Sequence, residues 1–282
     1  MSIAAVRFRM QRSGAGLQRD LSIDAAPGVV LAGHLVVPAD VRLRGVIAFP
    51  HASREPCLDV YNRVAARTLR DAGFAVFLFD VMTPGEKVGR ALPIDLPTVA
   101  KRIVAVTESL RSEPETANLA VGYIATGAGA PGALSAASTL PDDVQAVVAL
   151  GARPELLEVS LERITAPVLL VVGGTAADFE CGHEVRNRLA CQHEIVIVPG
   201  SHKLTEGDPR PFGRALRFAT QWFGMYLGEP SVGPQSSRAD EVAASEQPQR
   251  AHGGGDPDGH HHNRTDGIER LRGHQPYVRE RS

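Results

Sequence analysis

Between residues 45 and 200 short, continuous apolar runs alternate with longer amphipathic ones, and this alternation constrains the fold more than any other feature of the chain. GVIAFPH (45–51), FAVFLFD (74–80), LAVGYI (119–124), VQAVVAL, APVLLVVGG and HEIVIVPG stay largely apolar until their ends. A strand can be apolar along its whole length only when both faces of its sheet are covered. The intervening segments supply the cover. Residues 59–72 (DVYNRVAARTLRDA) are predicted to form a helix with Val60, Val64, Ala65 and Leu69 on one face, ending at Gly73. Further helices are expected over 97–112, over 128–138 with Pro131 in the first turn, over 181–190 and over 211–226. Upstream, LSIDA and VVLAGHLVVPA flank Pro27-Gly28 as an antiparallel pair. The prediction is an α/β fold: a mainly parallel sheet with an antiparallel edge and helices on both faces. In such sheets the site lies beyond the carboxyl ends of the strands, which directs attention to the loops after 51, 80, 124, 150, 174 and 199.

This pattern sets the expected domain at 19–228, preceded by an extension at 1–18. From Glu229 to Ser282 the chain is rich in Pro, Gly, Ser, His and charge. It has too little apolar surface to offset its ordering entropy, so a disordered tail is expected. A net charge of −2 gives no electrostatic reason to expect nucleic acid or a membrane surface as partner. No apolar run approaches the ~18 residues of a membrane span, and Arg7, Arg9 and Arg12 interrupt any leader-like stretch. The cysteines, Cys57, Cys181 and Cys191, are odd in number and lack metal-ligand spacing. That argues for a reducing compartment; Cys181 and Cys191 read as packed thiols rather than a redox pair, and a cytoplasmic location is expected.

Residues 121–134, VGYIATGAGAPGAL, carry the most specific signal. A sharp strand-to-helix turn requires small residues two before and two after its apex, and Ala125 and Gly129 stand so about Gly127. In its wider context this run resembles the dienelactone hydrolase family of α/β-hydrolases. The matching pieces are GVIAFPHAS, TLRDAGFAVFLFDVMTP, GYIATGAG, APVLLVVGG, IVIVPGSH and the ATQWF helix, in order across roughly three quarters of the chain. The resemblance implies ester or lactone hydrolysis by a nucleophile, an acid and a histidine, in that chain order.

Laid on this sequence, the family pattern puts the nucleophile at Gly127, the acid at Ala176 and the histidine at Lys203. All three positions are thus substituted. Asp178 and His202 stand close to the last two and form the alternative apparatus, with His202 activating water over the space at Gly127. Thr126 adjoins the apex but is expected to point away from the pocket, and Ser53 reads as a turn residue. The resemblance also places oxyanion-type backbone N–H groups near Ala52 and Ala128, at a helix start. It sets His51 beside the pocket, where local backbone satisfaction is an equal reading.

Elsewhere the bland readings prevail. His183 and His193 are expected at the surface. Glu86, Lys87 and Arg90 read as a solvated loop cluster. His252, His260, His261, His262 and His274 read as solvated tail rather than as a metal site. Related domains in the family also occur joined to phosphoribosyltransferase domains; none is expected here, nor a phosphate-cradling P-loop. The expectation is therefore a family scaffold without ester chemistry, with neither cofactor nor metal, that binds a small carboxylate or carbonyl compound. The alternatives are a hydrolase working through Asp178 and His202, and a structural scaffold whose tail does the work.

Overall fold

The computed structural model describes residues 10–13, 16–53, 57–88, 94–151, 154–198 and 209–228. Its strands are β1 (Met10–Ser13), β2 (Gly16–Ala26), β3 (Val29–Val37), β4 (Val46–His51), β5 (Ala75–Asp80), β6 (Val121–Thr126), β7 (Val144–Leu150), β8 (Val168–Val172) and β9 (His193–Ile197). The helices are α1 (Val60–Asp71), α2 (Pro84–Val88), α3 (Leu96–Leu110), α4 (Gly129–Thr139), α5 (Ala176–Arg188) and α6 (Pro209–Tyr226).

Among the described residues these strands form one nine-stranded sheet in the order β1-β2-β3-β5-β4-β6-β7-β8-β9. From β5 to β9 every pairing is parallel, while β1, β2 and β3 extend the sheet antiparallel from the β5 side. The expected class is what forms. The sheet begins at Met10, however, so strand structure reaches into the predicted 1–18 extension; the tail from 229 lies outside the described residues.

Two apolar layers sandwich the sheet. On one face Val99, Ile103 and Val106 of α3, Ala133 and Leu134 of α4, and Val185 of α5 pack against Ala48, Phe77, Tyr123, Val147 and Leu170. On the other, Ala65 and Leu69 of α1 and Phe212, Trp222 and Phe223 of α6 pack against Ile47, Phe49, Val76, Ile124 and Val148. Alternate residues of each central strand feed opposite layers, as the period of two requires.

Two element readings need correction. The buried face of α1 is Asn62, Ala65, Ala66 and Leu69, whereas Val60 and Val64 are 73% and 47% exposed. The helix is rotated toward a polar residue because buried partners satisfy Asn62. Helix α5 begins at Ala176, five residues before the predicted start, because Thr175 and Asp178 form a reciprocal capping box.

Helices α3 and α4 lie unusually close. A Cβ built on Gly132 would stand 2.3 Å from Val99 Cγ1, so only glycine permits this approach.

Candidate functional site

The sheet order changes direction beside β4: the chain passes from β4 outward to β5, then returns to place β6 on the other side of β4. Such a switch point opens a crevice at the carboxyl ends of the strands. The loops that meet there follow β4, β5 and β6. Between them lies a cavity of about 230 Å³ lined by Ala52, Ser53, Val81, Met82, Ile94, Val99 and Ala128.

The β6–α4 turn has the steric frame read from the sequence. Ala125 is fully buried, and a Cβ on Gly129 would lie 2.9 Å from the Pro50 carbonyl oxygen, so a small residue is obligatory where the helix start meets β4. Gly127 is the apex, with φ +51°. A Cβ placed there would meet nothing within 4 Å, so its surroundings have room for a side chain that the residue does not supply. Ala128 is the N-cap of α4 and no side chain caps the helix. Pro131 has no N–H and Ala130 N donates to Gly127 O at 3.2 Å, so the helix start offers a carbonyl oxygen or a carboxylate the amides of Ala128 and Gly129. Of the turn itself Ala128 lines the cavity, and Thr126 and Gly127 do not.

His51 ends β4 and is 7% exposed. Its Nδ1 lies 3.0 Å from Asn62 Nδ2, an amide nitrogen that also faces Cys57 O and Asp59 Oδ2, each at 3.0 Å. Two acceptors around that nitrogen fix the amide orientation, so Asn62 is the donor and Nδ1 the acceptor. The ring proton then sits on Nε2 and is donated to Ser53 Oγ at 2.8 Å. A base must accept from its nucleophile, and here the bond runs the other way. Ser53, His51 and Asn62 therefore hold the loop after β4 in place and do not form a nucleophilic relay. Sequence reasoning missed Asn62, although an asparagine at the i position of an i, i+3, i+4, i+7 buried stripe is a readable signal.

Behind the cavity the charges are paired. Lys87 Nζ stands 2.6 Å from Asp80 Oδ1, and Arg102 grips Glu86 with both terminal nitrogens, at 2.7 and 2.8 Å, while also donating to Val81 O. The Arg102 hydrogen bonds outweigh desolvation and hold the Glu86 carboxyl down at about 2. Glu86 and Lys87, expected to be solvated, instead belong to α2 and tie it to β5 and α3; Arg90 lies outside the described residues. Cys57 is buried, and burial followed by the nearby Asp80 charge pushes its thiol up to about 12. It is a packing residue, not a nucleophile.

At the acid position Ala176 opens α5 with no carboxylate. Asp178 Oδ2 caps its own helix, accepting from Thr175 N at 3.2 Å and Thr175 Oγ1 at 2.7 Å. His202 and Lys203 lie outside the described residues, as do the tail histidines. His183 lies inside α5 rather than beside it, and His193 opens β9 with Nδ1 donating to Cys191 O at 2.8 Å. Among the described residues no cluster of His, Cys, Asp and Glu has the makings of a metal site. No described helix is long and apolar enough to cross a membrane.

Comparison with known proteins places this geometry in context. No family model matches the chain. Two Mycobacterium tuberculosis proteins, carrying the provisional name phosphoribosyl transferase, are 37% identical over 214 residues. The match covers 75% of this chain but 48% of theirs, so the chain spans about half the length of these curated relatives. Among solved structures, dienelactone hydrolase from Anabaena variabilis is 32% identical with a TM-score of 0.70, over 76% of this chain and 99% of that one. A dienelactone hydrolase-like promiscuous phosphotriesterase from metagenomic libraries (19% identical, TM-score 0.60, 76% and 99% covered) shares the fold. So does a cold-adapted esterase from an Arctic intertidal metagenomic library (14% identical, TM-score 0.60, 77% and 99% covered).

Proposed function

Because this chain belongs to the dienelactone hydrolase family, as its match to the Anabaena enzyme establishes, we propose that it is a non-catalytic member that binds a small carboxylate or carbonyl compound at the end of β4 and β6. One observation carries the reading: the apex of the strand-to-helix turn is Gly127, at positive φ, with open space where a nucleophilic side chain would stand. Polar groups near the turn support the reading. Ala52 and Ala128 border the cavity, the start of α4 supplies a positive dipole end, and Ser53 is oriented by His51. Val81, Met82, Ile94 and Val99 suit a short apolar body on the same molecule.

Magnitude supports binding over turnover. Loss of the nucleophile alone from a triad costs about 10⁶ in kcat, and the remnant of ~10³–10⁴ over water comes from the oxyanion donors and binding. The alternative apparatus asks the Asp178 carboxylate to orient His202, while that carboxylate already accepts twice from Thr175 at the start of its own helix. The phosphoribosyl transfer in the mycobacterial relatives' name is not carried over, because those proteins are about twice the matched length and the matched region is hydrolase-fold. A cytoplasmic location fits the thiol content.

The test is a fluorophosphonate probe on the purified full chain beside a Gly127→Ser variant. The reading expects no stoichiometric labelling of the wild type and slow labelling at residue 127 in the variant. Stoichiometric labelling of one Ser, Thr or Cys in the wild type overturns it. The same follows if the wild type hydrolyses short aryl esters and His202→Ala abolishes that activity.

A further inference from the structure

The antiparallel extension of the sheet is covered unequally. On the α3 side, Leu21, Ile23, Leu31 and Leu35 are buried in the first apolar layer. On the opposite side α1 stops short of β2 and β3, leaving a groove of about 390 Å³, larger than the cavity at the turn and within the range of small-molecule sites. The strand register defines its floor. Asp20, His34 and Leu78 form one row across β2, β3 and β5, and Gln18, Val36 and Val76 the next. Ala66 and Leu58 supply apolar walls.

Arginine dominates the α1 wall. Arg63, Arg67 and Arg70 stand at i, i+4 and i+7, so one side of the helix brings three arginines to the groove. Arg63 is braced by its Nε donating to Leu58 O at 2.6 Å, which leaves the terminal nitrogens beyond that bond. Arg70 pairs with Asp71, and Arg67 reaches the same carboxylate only at 3.7 Å. On the floor the Asp20 carboxylate accepts from His34 Nδ1 at 2.5 Å, so that negative charge already has a partner. Arg19, also at the groove, is held by Glu113 and Glu115. Arg67 and Arg70 thus share one carboxylate, Asp71, while Arg63 leans on a backbone carbonyl.

We propose that this groove is a second ligand site, for an organic anion joining a phosphate or carboxylate head to a compact apolar body. The head pairs with Arg63 and Arg67, whose planar forks match such oxygens. The body lies over Leu78, Val36 and Ala66. The site is independent of the cavity beside Ala128, which none of these residues lines.

Phenyl phosphate is the probe, titrated into the ¹⁵N-labelled full chain with inorganic phosphate in parallel. Saturable shifts are expected at Arg63, Ala66, Arg67, Arg70 and His34, with inorganic phosphate at least tenfold weaker for want of the ring. Arg67→Glu is expected to weaken phenyl phosphate at least tenfold, and its 77% exposed side chain makes it safe for folding. Ala66→Trp fills the apolar wall and abolishes binding, whereas Ala128→Phe, which obstructs the other cavity, leaves it unchanged. The proposal is overturned if phenyl phosphate produces no saturable shift, if shifts cluster at 52–53 and 127–129 instead, or if Arg67→Glu binds as the wild type does. Equal weak affinity for both phosphates would likewise overturn it, as plain charge screening.

Discussion

The reading of the turn stands on two separable properties of Gly127, its left-handed backbone and its empty surroundings, and Gly127→Ala tests both. Forcing an L-residue to φ +51° costs roughly 1–2 kcal/mol. The added methyl also stiffens the unfolded chain, which offsets about 0.4–1 kcal/mol. No clash adds to this, since nothing lies within 4 Å of the new Cβ. The net loss is then about 1 kcal/mol, or about 2–4 °C in Tm for a domain of this size. Gly28 in the β2–β3 turn is a matched control: φ is +75° and an added Cβ also meets nothing within 4 Å. Calorimetry of the two alanine variants should give losses within about 0.5 kcal/mol of each other. A loss above about 3 kcal/mol at 127 with a small loss at 28 would mean that the space is filled. A gain in stability at 127 would mean that the backbone is not left-handed there. Either result refutes the placement of the apex.

Three further outcomes follow from the electrostatics and the caps. Glu86 has its pKa depressed from 4.5 to about 2 in the folded state, so its contribution is full above about 4.5 and lost as pH falls through about 2. Glu86→Gln should therefore flatten the Tm profile within that acid window and change its slope little near neutrality; an unchanged acid limb would count against the Arg102 clamp. Cys57, raised to about 12, should stay unmodified by iodoacetamide at pH 8 under native conditions and react once the chain is denatured, as read by peptide mass mapping. Asp178→Ala should cost about 1 kcal/mol in thermal denaturation as a broken cap, and leave ester turnover where the wild type has it. A selective fall in turnover would instead restore Asp178 to the chemistry.

The central strands of the sheet were legible because they are apolar throughout, a pattern that a two-layered cover imposes whatever the site contains. The turn at 127 was legible for a related reason: close backbone approach at Gly129 admits only a small side chain, which leaves its mark in the sequence. The rotation of α1 was harder to see. Val60 and Val64 promised a better apolar stripe than one built on Asn62, and only the acceptors gathered around that amide reverse the preference. The start of α5 was missed by weighting apolar periodicity over caps, although Thr175 and Asp178 spell a capping pattern three residues apart. The ion pairs of α2 depend on Asp80 and Arg102, six or more residues away, and no local pattern foretells which partners a short helix will meet.

The near-contact between Gly132 and Val99 gives the cavity a remote adjustment. Val99 projects into the space where the proposed ligand sits, yet the spacing of its helix is dictated from the rear by an absent methyl on α4. A bulkier residue at 132 would push α3 away and resize the chamber while every group bordering it kept its identity. A substitution one contact behind the cavity wall would thus retune the size of ligand this scaffold admits.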